Sequence, residues 1–279
     1  MPKLLSSFIL LLSFLHLQAL ASFEQSEINS FREVATRLET LLKKYKVSDI
    51  QVVFDIDNTL LAPNQNLNSD QWFEWQMKQQ NDDLFKVQTD FFQIGKMHPP
   101  EPDGPEIINL IKSKKITPMI LTSRGYDLMF PTLRELNRNY PGLVDAEKMF
   151  YMNCFVPYHA NDLKKFGFSK KETETLSIKE SRTACFFENL ILSSGNTKPL
   201  TLLAYNQLKK LKPKVVIFVD DRTYHMDDFA KYTTKQKTVF IGLRYGKEDE
   251  NVKKFSSSDK TIEAAQLKKY IDLKTEIFK

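Results

Sequence analysis

Apolar residues recur along this chain in two rhythms. Phe31, Val34, Leu38, Leu41, Leu42 and Tyr45 fall at helical spacing, which predicts an amphipathic helix up to about Lys46. Short, nearly unbroken apolar runs alternate with such patterns. Residues 51–55, Ile116–Leu121, Val215–Val219 and Thr238–Leu243 read as buried strands. Pro118 has no N–H for a ladder, so it is expected near the start of its strand or at a bulge. Further helices are predicted from about Trp72 to Gln80, after Asp103-Gly104-Pro105, from Tyr126 to Asn139, from Lys198 through Leu211, near Asp228 and after Thr261. Thr183–Ser193 reads as a strand or hairpin.

Short strands alternating with longer helices predict an α/β fold: a parallel sheet with helices on both faces. No repeat and no flexible linker divides the chain. One domain over 22–279 carrying two insertions, about 62–102 and 126–182, is the simplest arrangement. The first insertion is polar and aromatic, and Trp72, Phe73 and Trp75 within it are read as core packing rather than as the lip of a binding site.

The amino terminus changes the picture of location. Lys3, a largely apolar run from Leu4 to Leu17 and the small residues of Ala19-Leu20-Ala21 form the pattern of a cleaved secretory signal, with cleavage near Ala21. The run is shorter than a membrane span of about 20 residues. An exported chain, periplasmic or secreted and without a stable span after cleavage, is therefore expected. The formal charge of +5 is small. Lysine clusters at Lys112, Lys114 and Lys115 and at Lys209, Lys210, Lys212 and Lys214 sit at segment ends without a basic-aromatic binding motif, so no nucleic-acid partner is expected. His98, His159 and His225 show no metal-ligand spacing, which argues against a histidine-built metal site. Cys154 and Cys185 are candidates for a disulfide in an exported protein, although the sequence does not place them within bridging distance.

In parallel α/β sheets, ligands bind beyond the carboxyl ends of the strands, near a switch in strand order. Four polar groups follow apolar runs here. They are Asp55 and Asp57 in VVFDIDNTLL, Thr122-Ser123-Arg124 after ILT, Lys198 at a helix start, and Asp220-Asp221 after VVIFV. Each has a plain structural explanation as a cap, a turn former or a surface residue. Two adjacent carboxylates at the edge of a core nevertheless require compensation, and a hard oxygen-seeking cation would provide it.

The four groups, in this order, resemble the motifs of the haloacid dehalogenase superfamily. Lys198 lies 22 residues before Asp220, room for a helix and a turn. The runs FDIDNTLL, SDQWFEWQ, LTSR and FVDDR further resemble a family of exported bacterial proteins of unknown function within that superfamily. The resemblance implies a three-layer, Rossmann-like core with small cap insertions and a Mg²⁺-dependent phosphatase. Asp55 would be the nucleophile, forming an aspartyl-phosphate. Asp57 would protonate the leaving oxygen and then activate water. Mg²⁺ would take the Asp55 side chain, the Asp57 backbone carbonyl and Asp220, with Asp221 close by or acting through water. Lys198 would neutralise the phosphate, Thr122 would donate to a phosphoryl oxygen, and Ser123 and Arg124 would contact the substrate, Arg124 in a bidentate mode. The implied partner is a small-molecule or macromolecular phosphoester. A scaffold that binds without turnover, and a phosphotransferase, are the alternatives to this reading.

Overall fold

The computed structural model describes residues 23–79 and 84–277. The expected signal peptide over 1–21 lies outside the described residues, as does Gln80 at the end of the helix expected from Trp72. The described chain opens with β1 (Phe23–Ile28), α1 (Phe31–Leu42) and β2 (Ile50–Phe54). A covering segment follows, in which the short strands β3 (Ala62–Pro63) and β4 (Met97–His98) flank α2 (Asp70–Lys78) and α3 (Leu84–Ile94). Next come α4 (Gly104–Ser113), β5 (Met119–Thr122), α5 (Met129–Asn139), β6 (Asn153–Phe155), α6 (Lys170–Leu176), β7 (Ala184–Phe187) and β8 (Leu190–Leu192). The remaining elements are α7 (Lys198–Leu208), β9 (Val215–Asp220), α8 (Thr223–Tyr232), β10 (Val239–Tyr245), α9 (Asp249–Ser257) and α10 (Thr261–Ile277).

Eight strands form one sheet in the order β1-β10-β9-β2-β5-β8-β7-β6, and the first six are parallel. Alternate side chains of the central strands go to opposite faces. Val52, Phe54, Ile217 and Val219 join a core with α1, α4 and α5, while Val53, Val216 and Phe218 join another with α7 and α8. The fold is thus mixed α/β, with helices on both faces of a mostly parallel sheet. From β2 the chain steps outward to β5 and β8, then returns to β9 on the other side of β2. The switch in strand order therefore falls between β2 and β9.

Two expectations need correction. The sheet is not wholly parallel, because β7 pairs antiparallel with both β8 and β6. A two-residue turn at Glu188-Asn189, with Glu188 at φ 49°, folds β7 directly back onto β8, and such a tight turn joins only antiparallel strands. The strand expected from Ile116 starts at Met119, just past Pro118, so the proline stays off the ladder. Asn189 Nδ2 donates to the Pro118 carbonyl at 2.6 Å.

The two insertions differ in use. In the first, α2 and α3 pack with α9 and α10 around Trp72, Phe91 and Phe255, a small cluster apart from the main cores. Trp72 is fully buried there and Trp75 packs against the same cluster, as the core-packing expectation has it, whereas Phe73 is partly buried and also lines the cavity beside Asp55. In the second, α5 packs into the main core through Met129, Leu133 and Leu136, and β6 adds an antiparallel edge strand to the sheet. Cys154 and Cys185 sit opposite each other on β6 and β7 and form a disulfide. Among the described residues no helix is long and apolar enough to cross a membrane.

The disulfide closes a loop across a separation of 31 residues, so its loss should cost about 2–4 kcal/mol, chiefly by freeing the unfolded chain. Serine at both Cys154 and Cys185 is expected to lower the urea midpoint accordingly. Equal midpoints for the two proteins would contradict this assignment of stability.

Candidate active site

The site begins with strand register. Phe54 pairs with Val219, and the Asp55 N–H continues the ladder by donating to the Val219 carbonyl at 2.9 Å. The next residues on the two strands, Asp55 and Asp220, are thereby brought side by side. After Asp55 the chain turns sharply. Asn58 takes φ 55°, and the Leu61 N–H returns to the Ile56 carbonyl. Asparagine tolerates this left-handed conformation better than most residues. Its side chain also reaches Asp221 Oδ2 at 3.4 Å, while Thr59 Oγ1 accepts from the Asp221 N–H at 3.1 Å. The turn formers of the first motif thus fasten it to the acidic pair of the last.

Lys198 completes the centre from a third element. It is the first residue of α7, followed by Pro199, whose missing N–H costs nothing in the first helical turn. Its Nζ lies 2.7 Å from Asp55 Oδ1 and 2.6 Å from Asp220 Oδ2, and all three side chains are buried. Burial disfavours the Lys198 charge, but Asp220 and Asp55 outweigh it and hold the lysine above its ordinary value. The Asp55 carboxyl is pushed up to about 8, first by burial and then by the charges of Asp220 and Asp57. Asp220 is held low: burial opposes its charge, but His225 and Lys198 more than offset it.

His225, from α8, was not singled out by its sequence spacing. Its Nδ1 lies 2.8 Å from Asp220 Oδ2, and burial holds its pKa below the ordinary histidine value. A neutral ring donates to a carboxylate only through a protonated Nδ1, which leaves Nε2 as an acceptor. The signal was present in the sequence, five residues after Asp220 at the start of a helix. Arg222 N–H donates to Asp220 Oδ1 at 2.8 Å. The Arg222 guanidinium pairs with Glu74 at 2.9 Å, Asp70 at 3.2 Å and Asp221 at 3.4 Å, tying α2 to the acidic pair.

Arg124 does something other than expected. Its Nη2 and Nε donate to the two oxygens of Asp57 at 2.6 and 3.0 Å, its Nη1 donates to Thr132 Oγ1 at 2.9 Å, and the head lies 4.4 Å from the Phe92 ring centroid. A guanidinium committed in this way anchors Asp57 rather than waiting for a phosphate. Thr122 is fully buried, and its Oγ1 accepts from the Arg124 N–H at 3.2 Å. It does not line the cavity, whereas Ser123 and Ser194 do.

The cavity above this centre measures about 650 Å³. Asp55, Asp57 and Lys198 reach it from the core, and Phe73, Phe85 and Phe92 from the first insertion. Exposed Tyr126 and Tyr224 stand at its edge. Asp55, Asp220 and Asp221 each offer an oxygen within 4.8 Å of the others. Burial and the nearby Asp220 charge raise the Asp221 carboxyl above its usual range, and its Oδ1 is buried without a hydrogen-bond partner. Lys198 meets two of the three acids, the third shares Arg222 with Asp70 and Glu74, and one acid oxygen is orphaned. A hard cation with oxygen ligands, such as Mg²⁺, fits this donor set. The Asp57 carboxylate stands outside it, engaged by Arg124.

Over residues 27–276 the chain matches the model of a family described as "Protein of unknown function (DUF2608)", and it belongs to that family. No curated protein and no solved structure matches it.

If the three acids hold Mg²⁺, saturating ion should stabilise the fold. At a hundredfold excess over Kd the gain is about 2.7 kcal/mol, or a rise in Tm of roughly 5–10 °C for a chain of this size. EDTA should reverse the rise, and Asp221→Asn should reduce it. A Tm unmoved by Mg²⁺, Mn²⁺ or Ca²⁺ would rule the site out.

Proposed function

We propose that this chain is an exported phosphatase of the haloacid dehalogenase type that hydrolyses phosphate monoesters through an aspartyl-phosphate on Asp55. One observation carries the reading. A buried lysine at a helix start bridges the acids that follow two adjacent parallel strands, at the switch in strand order where α/β sheets bind ligands. The implied core, a Rossmann-like sheet with cap insertions, is supported by the parallel strands on either side of β2 and by α2 and α3 over the cavity. Export is supported by the Cys154–Cys185 disulfide, which persists in oxidising compartments.

Each step then belongs to a named group. An Asp55 oxygen attacks phosphorus, and the bond to the leaving oxygen breaks. Asp57 gives that oxygen a proton, then takes one from the water that attacks the phospho-aspartate, releasing phosphate and restoring Asp55. Each carboxylate oxygen has two lone pairs, so an oxygen accepting from Arg124 can still exchange a proton with the substrate. Lys198 offsets the charge of Asp55 and of the phosphoryl group. Asp55, the Asp57 carbonyl, Asp220 and Asp221 would hold Mg²⁺, which would draw off phosphoryl charge and relieve repulsion from the carboxylates. His225 keeps Asp220 oriented.

The Arg124–Asp57 pair also favours a second reading, a scaffold that binds phosphoesters without turning them over. One experiment separates the two. The mature protein with Mg²⁺ should release phosphate from an aryl phosphate, EDTA should abolish release, and Asp55→Asn should lower the rate by on the order of 10³-fold or more. Wild-type rates in Asp55→Asn would sink the nucleophile assignment. Tight phosphoester binding without release would establish the second reading.

A further inference from the structure

The cations on the cavity lining are paired, with one exception. Lys198 is held by Asp55 and Asp220, Arg124 by Asp57, and Arg222 by Asp70, Glu74 and Asp221. Arg182 lines the same cavity, and its guanidinium meets no carboxylate among the described residues. Its side chain is exposed, whereas Asp55 and Lys198 are buried at the cavity floor.

Arg182 nevertheless stands on a fixed base. Its N–H donates to Asn196 Oδ1 at 2.8 Å, and Asn196 Nδ2 donates back to the Arg182 carbonyl at 2.7 Å. Asn196 is buried and belongs to the turn that leads into Lys198. A second brace runs through Tyr158: its carbonyl accepts from Ser181 Oγ, and its hydroxyl accepts from the Thr197 N–H at 3.0 Å. The backbone of Arg182 is thus clasped to the segment that positions the buried lysine. Gly195, also on the lining, has open space where a side chain would stand. An anchored base, a free guanidinium and room beside it are what recognition of an anion requires, since the guanidinium fork matches a carboxylate or phosphate.

We propose that Arg182 binds a second anionic group, carried on the leaving portion of the substrate. The substrate class is then a phosphate monoester bearing a further negative charge, and Asn196 is the residue that positions Arg182. The inference rests on the phosphatase reading for the location of the phosphoryl group. That group belongs at the floor with Asp55 and Lys198, so a cation at the rim faces what is attached to it.

Glycerol 3-phosphate and 3-phosphoglycerate test this, since they differ mainly in a hydroxymethyl against a carboxylate. With Mg²⁺, the mature protein should favour 3-phosphoglycerate in kcat/KM by about tenfold, the size of one charge-assisted hydrogen bond. In Arg182→Gln the ratio should fall towards one, chiefly through KM, and Arg182→Lys should recover part of it. An unchanged ratio in Arg182→Gln, with turnover intact, overturns this proposal and leaves the phosphatase reading standing. Calorimetric binding of both compounds to Asp55→Asn separates the opposite failure. A preference for the carboxylate that vanishes in the Asp55→Asn, Arg182→Gln double variant upholds the role of Arg182 even if wild-type protein releases no phosphate. No preference in Asp55→Asn overturns it.

Discussion

A single buried ammonium organises the functional end of this molecule. Lys198 sits between Asp55 and Asp220, within 2.7 Å of each, and all three side chains are almost wholly removed from water. Charges so placed are tolerated only when paired and hydrogen-bonded. The lysine also occupies the first turn of a helix, where the macrodipole disfavours a cation. The two carboxylates therefore offset both burial and dipole for the lysine, and the lysine offsets their mutual repulsion. Removing any one of the three exposes the cost of the others.

Backbone geometry makes that arrangement possible. Parallel pairing of β2 with β9 delivers Asp55 and Asp220 to the same height at the end of adjacent strands. Beyond the strands the ladder gives way to side chains. Asn58 and Thr59 reach across to Asp221, and the turn at Ser193–Gly195 bonds back to the carbonyls of residues 122–124. Four loops from four strand ends are thus laced in two pairs, and the Arg124–Asp57 ion pair joins one pair to the other. The cavity floor is built from those bonds rather than from apolar packing, which leaves its polar atoms facing a common space.

Much of this was legible in the sequence where burial alone decides the pattern. The runs at β2 and β9 are apolar because both faces are covered, and their ends announce Asp55 and Asp220. The helical spacing of α1 was equally plain, whereas α7 is buried continuously from Lys198 to Asn206 and shows no one-sided stripe. What escaped has definite causes. β1 is mostly polar and is held by its ladder to β10, so no hydrophobic rhythm marks it. The helix α3 does carry Leu84, Val87 and Phe91 at helical spacing, but its apolar face packs against α2 and the carboxyl-terminal helices rather than the main core, within a stretch that reads as an irregular insertion. The reversal of β7 depends on a two-residue turn at Glu188-Asn189, without the glycine that usually marks one. Side-chain partnerships were the least visible. Arg124 finds Asp57 across 67 residues, and nothing local to either announces the pair. Arg222 stood within a recognised motif, yet two of its three acidic partners, Asp70 and Glu74, come from α2.

Asp221 shows how the cover and the floor share one residue without conflict. Its Oδ2 faces Asn58 and Arg222, and through Arg222 it is linked to Asp70 and Glu74 on α2. Its Oδ1 has no partner. A cation drawn to the acidic cluster can therefore use the free oxygen while the other keeps its link to the covering helix. Had both oxygens been committed, as those of Asp57 are to Arg124, cation binding would have to break the tie to α2. The division of labour between the two oxygens lets the cavity keep its cover in place while its floor takes up charge.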